Sequence, residues 1–409
     1  MSLVTVAIDP GTSLTKCIYQ IDGNAPKFLA LPPESVELTA EFTGAVESHC
    51  KSANIYGTGA ASTAWYKVKK QGNIFATGML AQKYQLGVDI KRLKYESAEV
   101  KIVAIVGIIA QREELDEFSL HIAMLLPYGE YQDEEKLQAK VAKILSSGFY
   151  WQGRTKIKAD LTHWVCYPEG SGRMFSYIEE VGDRQFESEN VAILMLGHRN
   201  GSILQMSGGM VVEGSESSDK YGFYQFLHYI LEQKSGYDVQ DLLDAISVEL
   251  SDSWRTSSKP TRYYIDARKI AESRNRNEDN IQQETEELEA AINAARLQYI
   301  GSLQAWIAEK LRTFDLDKIL FCGGACLFFK ETLQKLEVSR VPDVVGIFRE
   351  SLDPYEDKLI EDLVKELGLN ANQKKSFSYR FVDVYLLFQE MRPTNEQIQR
   401  QSETEAVYS

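Results

Sequence analysis

A chain of 409 residues with 44% hydrophobic and 11% aromatic side chains is long enough for two domains, or three, each with its own core. A formal charge of −14 with no strong basic stripe disfavours direct binding to a nucleic acid backbone, so for a DNA partner an adaptor or an assembled surface would supply the positive charge. No run approaches the roughly 20 apolar residues of a membrane span, and five scattered cysteines (Cys17, Cys50, Cys166, Cys322, Cys326) argue against a disulfide framework.

The first residues, 1-MSLVTVAIDPGT-12, carry no basic region before the apolar run and reach Asp9 within one strand, unlike a signal peptide. The simplest expectation is a cytoplasmic protein with no membrane partner. The run 3-LVTVAID-9 predicts a strand, 10-PGTS-13 a turn and 14-LTKCIYQI-21 a second strand. Asp22–Gly23 is a hairpin signal, and 27-KFLAL-31 gives a third strand. Residues 62–84 predict a strand pair leading into a helix. Lys91, Arg92 and Lys94 form a small basic cluster, expected to be ordinary solvated surface. The apolar run 102-IVAIVGIIA-110 fits a buried strand or a buried helix.

Residues 117–127 predict a strand, and Asp133 to Leu145 a helix with acids first and lysines last. The stretch 162-THWVCYPEGSG-172 reads as a strand ending at Pro168, then a glycine-rich turn. A second meander follows, with strands at 190–196, 201–206 and 210–214 and turns at 197-GHRN-200 and Gly208–Gly209. Helices are expected at 221–233, at 237–248 and over one long stretch from Glu284 to Arg312, with a loop at 255–262. Residues 317–333 read as strand, Gly–Gly turn and helix, and two further helices fall at about 358–367 and 379–391.

Three stretches carry groups suited to chemistry. In 8-IDPGTSLTK-16, Asp9 at a strand end can hold a hydrated divalent cation. Gly11 lets the turn amides approach a phosphate, and Lys16 returns one strand later as a cation. The same residues also fit a plain hairpin turn with a surface lysine. In 168-PEGSG-172, Glu169 can orient or deprotonate a water, or be a simple loop acid. In 320-LFCGGAC-326, glycines between strand and helix let a planar ring lie near the backbone. Cys322 and Cys326, with no Cys or His pair nearby in sequence, read as free core cysteines rather than a zinc site. The two meanders also match: Asp9 superimposes on Met195, Gly11 on Gly197 and Lys16 on Ser202, suggesting a duplicated fold.

Four elements in this order, 8-IDPGTSLTK-16, 168-PEGSG-172, 195-MLGHRNGS-202 and 320-LFCGGA-325, resemble the actin superfamily over roughly residues 3–390. The PEGSG element, with 77-TGMLA-81, 125-LLPYGEY-131 and a terminal helix around 380-RFVDVY-385, looks most like the ParM/StbA plasmid-segregation branch. The resemblance implies an α/β, duplicated actin-like (ribonuclease H-like) fold of two lobes with a nucleotide cleft between them. The lobes would span 1–188 and 189–371, the helix at 379–391 would pack back on the first, and 392–409 would be a flexible polar tail. The cofactors implied are ATP (or GTP) and Mg2+.

Carried onto this sequence, Asp9 would sit on the hydrated magnesium, Lys16 would reach the β- and γ-phosphates, and Glu169 would place the attacking water. Backbone amides at Gly11, Thr12 and Ser13 and at Gly197, His198, Arg199 and Asn200 would cradle the phosphates. Gly323, Gly324 and Ala325 would flank the adenine. Two positions depart from the family: Met195 stands where an acid is usual, and Ser202 where an acid or His is common. A thioether cannot anchor hydrated magnesium, so nucleotide binding is expected to survive while hydrolysis slows; alternatively Met195 only packs and another acid has taken over. The function implied is a head-to-tail filament that acts in plasmid or DNA segregation through an adaptor. A small-molecule kinase using Glu169, and a non-catalytic scaffold, are the alternatives.

Overall fold

The structure is a computed structural model that describes residues 1–55, 63–84, 93–249, 262–329, 333 and 362–392. It divides into two compact units. Unit 1 holds Met1–Ser176, Leu363–Gly368 and Phe381–Ser409, and unit 2 holds Tyr177–Asp362 and Leu369–Arg380.

In unit 1, strands β1 (Leu3–Pro10), β2 (Thr15–Ile21) and β3 (Lys27–Leu31) form the expected antiparallel meander. Asp22 and Gly23, both at positive φ, make the tight reversal between the last two. The further strands are β4 (Ser35–Leu38), β5 (Trp65–Lys67), β6 (Ile74–Thr77), β7 (Glu117–Leu126), β8 (Phe149–Trp151) and β9 (Thr155–Pro168). Together they give a nine-stranded sheet in the order β3-β2-β1-β7-β9-β8-β5-β6-β4. The centre of this sheet is parallel, since β1 pairs with β7 and β7 with β9. A parallel centre requires crossovers, and the helices supply them.

Helices α1 (Thr43–Ile55), α2 (Met79–Tyr84), α3 (Lys94–Arg112) and α4 (Glu134–Ser147) complete the first part of the chain. The apolar run 102–110 lies in α3, where every residue from Val100 to Ala110 is buried. Its length decides between the two readings: a helix apolar on all sides is a core helix, and at 19 residues it exceeds any ordinary strand. Ile102, Val106 and Ile109 share one buried core with Val4, Val6 and Ile8 of β1 and with Leu120, Ile122 and Met124 of β7.

Helices α5 (Ser171–Val181) and α6 (Asp183–Ser188) lead into unit 2. There β10 (Val191–Leu196), β11 (Gly201–Ser207) and β12 (Met210–Val211) repeat the meander, and β13 (Glu216–Ser218) adds to β11. Helices α7 (Phe223–Gln233), α8 (Val239–Asp244), α9 (Ala267–Arg274) and α10 (Glu278–Lys310) follow, with a two-stranded sheet of β14 (Ile246–Glu249) and β15 (Arg262–Ile265). Finally β16 (Lys318–Cys322) returns parallel to β10 and enters α11 (Gly324–Phe328). Residues 362–366 are helical, and α12 (Ala371–Glu390) closes the described chain.

The duplication is visible in the strand pairing. Asp9 lies opposite Lys16 as Met195 lies opposite Ser202, and each hairpin's first strand pairs in parallel with a later strand. Three expectations need correction. The helix expected at 237–248 ends at Asp244, and the β-branched Ile246 and Val248 enter a strand instead. The long helix starts at Glu278, ahead of Glu284, because Asn277 caps it with its side-chain oxygen on the amides of Asp279 and Asn280. The last helix begins at Ala371, and only Phe381 onward belongs to unit 1. Of the expected loop at 255–262, only Arg262 is described, as the start of β15; residues 358–361 and the tail beyond Arg392 lie outside the described residues.

Candidate functional site

In unit 1, β1 and β9 flank β7 in parallel, so their C-terminal ends lie at one edge of the sheet. In open α/β sheets that edge is where ligands bind. It carries both predicted acids: Asp9 near the end of β1, 2% exposed, and Glu169 just past β9, 1% exposed. Neither acid is unpaired. Lys16, across the hairpin, forms an ion pair with Asp9 Oδ2. Lys94, the first residue of α3, donates to Glu169 Oε1 and stands 3.4 Å from Asp9 Oδ1.

Lys94 is thus a correction to the sequence reading, which placed it on a solvated surface. It is buried, and it bridges the two acids. Two turns further along the same face, the buried Lys101 donates to the carbonyl of Pro10 at 3.1 Å. Helix α3 therefore brings two ammonium groups to the first hairpin from beneath. Its own N-terminus is held by Glu130, whose carboxylate accepts from the amide of Tyr95 at 3.0 Å.

The electrostatics follow from burial and pairing. Burial alone would raise the Asp9 carboxyl, but the Lys16 and Lys94 ammoniums outweigh it and hold the group at about 2. Burial pushes Glu169 above the usual carboxylate range, and the Asp9 charge adds to that against the pull of Lys94. Burial works against the Lys94 ammonium too, yet Asp9 and Glu169 keep it protonated, above the usual lysine range. Asp9 and Glu169 are thereby matched by Lys16 and Lys94, two charges of each sign.

That balance bears on magnesium. Asp9 is a hard, ionised oxygen donor and fits one side of a hydrated Mg2+. Among the described residues, no group of three or more His, Cys, Asp or Glu could hold a metal ion.

In unit 2, the β10–β11 turn puts Met195 where Asp9 stands in the first hairpin, buried at 7% exposure beside Gly197. Ser202, opposite it, shares a 2.8 Å hydrogen bond with Ser217. The Gly197 amide donates back across the turn to the carbonyl of Asn200, so it is committed within the turn and not to a cradle. The carbonyls of Gly197 and His198 accept from the amides of Phe223 and Tyr224 at the start of α7. The His198 ring lies edge-on to that of Tyr224, and Arg199 is buried. The side-chain oxygen of Asn200 is buried with no hydrogen-bond partner among the described residues. With its amide turned, the same side chain would donate to a phosphate oxygen.

The glycines divide in two. A Cβ on Gly11 would lie 2.5 Å from the Leu14 carbonyl oxygen, and one on Gly323, at φ +90°, 2.4 Å from that of Leu196. Both are therefore demanded by the backbone before any ligand. Gly324 faces open space, as a ring lying on the backbone requires, and Ala325 is buried behind it. Thr12 and Ser13 are half-buried at the first turn.

No protein-family model matches the chain, and no curated protein matches it. Solved structures do. The crystal structure of the actin-like protein Alp7A matches at 14% identity and a TM-score of 0.56, over 99% of this chain and 100% of that one. The crystal structure of Ta0583, an archaeal actin homolog, matches at 12% identity and a TM-score of 0.50, over 85% of this chain and 98% of that one. With the duplicated hairpins, each paired in parallel with a later strand, these likenesses establish that the chain has the actin-like fold.

Proposed function

We propose that this protein is a nucleotide-dependent, filament-forming member of the ParM-like actins, a cytoplasmic protein that binds ATP or GTP and hydrolyses it slowly. The observation that carries the reading is the ion-paired quartet of buried Asp9, Lys94 and Glu169 with half-buried Lys16, at the sheet edge where this fold meets ligands.

The roles follow from what each group can do. Lys16 and Lys94 bring fixed positive charge to the β- and γ-phosphates, and Asp9 would hold hydrated magnesium. Bound magnesium would neutralise charge on the phosphoryl oxygens. An arriving polyphosphate competes for the Lys94 ammonium, which frees Glu169 to accept a hydrogen bond from water. A carboxylate with a raised pKa suits that task. Asn200 and the second turn bind phosphate, and Gly323 to Ala325 bind the base.

Met195 accounts for the slow step. It offers no charge where a second acid would help hold the magnesium–phosphate assembly. Losing one such contact costs about 10²–10³ in rate. Slow turnover would make a polymer long-lived, which suits moving DNA through a basic adaptor. A nucleotide-binding scaffold without turnover is the second reading, favoured by the same Met195 and by Ser202, whose hydroxyl is already bonded to Ser217.

High-speed sedimentation with Mg-ATP, with Mg-GTP and without nucleotide tests the proposal, with phosphate release followed in parallel. Nucleotide-dependent pelleting with slow release supports it. Protein that binds nucleotide but stays in the supernatant at every concentration removes the filament. Absence of heat on titration with either nucleotide removes the whole reading.

A further inference from the structure

The turn that carries Glu169 is gripped by a residue distant in the chain. The Glu169 amide donates to the carbonyl of Leu126 on β7 at 2.8 Å. The next amide, that of Gly170, donates to Asp383 Oδ2 on α12 at 2.9 Å, across 213 positions of sequence. Gly170 precedes α5, so its N–H is one of the amides that a helix start leaves without an intrahelical acceptor. The Asp383 side chain does the work of an N-cap from another helix.

The packing is close. A Cβ on Gly172 would lie 2.3 Å from the backbone oxygen of Asp383 and 2.5 Å from its Oδ1. Asp383 is 9% exposed, and its Oδ1 has no hydrogen-bond partner among the described residues. Burial pushes its carboxyl up to about 6 against the Gly170 amide. The Asp9 and Glu169 charges add to that rise, and Lys16 opposes it. An acid kept here at such a cost needs a reason, and the Gly170 bond supplies one.

We propose that Asp383 is the positioning residue of the Glu169 turn: it holds the Gly170 amide and so fixes where the Glu169 carboxylate stands. The catalytic consequence rests on the nucleotide hydrolysis proposed above; the grip itself does not.

The test uses the full chain with D383L, which removes the acceptor, and D383N, whose amide oxygen can replace it. Hydrogen exchange at Gly170 is measured without nucleotide, and steady-state turnover with Mg-ATP. In D383L, exchange at Gly170 is expected to rise about tenfold or more. Its kcat is expected to fall about 10²-fold, the scale of a misplaced catalytic group, with KM changed less than about threefold. D383N is expected to recover the protection and most of kcat. Wild-type exchange in D383L, a KM change with kcat intact, or D383N behaving as D383L would each overturn the proposal. If the wild-type chain releases no phosphate, the hydrolysis reading falls and exchange alone decides the grip. If D383L does not fold, the wild-type amide decides it: protection at Gly170 similar to that at Glu169 supports the bond, and exchange like an open loop refutes it.

Discussion

Lys94 and Met195 show how much a single buried side chain can set. Lys94 is tolerated at 6% exposure because two carboxylates meet it, and removing one partner of such a buried pair costs roughly 3–5 kcal/mol. Met195 is the opposite case, an uncharged side chain at the position that Asp9 fills in the other hairpin. M195D is expected to raise phosphate release about 10²-fold at saturating Mg-ATP, the worth of one preorganised charge at the phosphates. It is also expected to lower the melting temperature, because an acid at a 7% exposed site loses most of its hydration. Single-turnover phosphate release with a thermal melt checks both effects. Unchanged release in a folded M195D protein would mean that Met195 only packs. Asp9 and Glu169 were legible in the sequence because each stands at the end of a strand close to glycines, and Lys16 because it opens the strand across the Gly11 turn. Lys94 was not: it sits among Lys91, Arg92 and Glu96, a composition that reads as surface, and only the docking of α3 on β1, with Glu169 meeting it, buries it.

At the scale of elements, the hairpins were readable because strand alternation and turn glycines are local signals, and their registers match the superposition of Asp9 on Met195. The run inside α3 was ambiguous because an apolar stretch with no polar face has no period to read. The β14–β15 pair and the bond from Gly170 to Asp383 depend on partners remote in the chain, which no local pattern reports. The β16–α11 turn gives an element-scale prediction. Gly323 sits at φ +90° with its Cα facing the carbonyl of Leu196, so G323A meets both a strained backbone and a 2.4 Å contact. It is expected to cost about 2 kcal/mol or more of stability in unit 2. G324A is the control, since nothing lies within 4 Å of a Cβ there. Urea melts should separate the two variants clearly. A G324A protein as stable as wild type but with weaker nucleotide affinity would further place the base at that glycine.

For the whole molecule, the formal charge of −14 opposes any assembly of identical copies. The head-to-tail polymerisation proposed above would have to overcome that repulsion at every contact, and dissolved salt reduces it over a Debye length of about 10 Å at 0.1 M. The critical concentration for Mg-nucleotide-dependent pelleting is therefore expected to fall severalfold between about 25 and 200 mM KCl. An interface held mainly by ion pairs between copies would behave in the reverse way, with assembly weakening as salt rises. Sedimentation across a KCl series, at fixed magnesium and nucleotide, distinguishes the two. The same charge predicts that polybasic additives lower the critical concentration at low salt. A basic adaptor bound to DNA would use that effect to start a filament where the cargo is, with the salt-dependent repulsion keeping the rest of the pool unassembled.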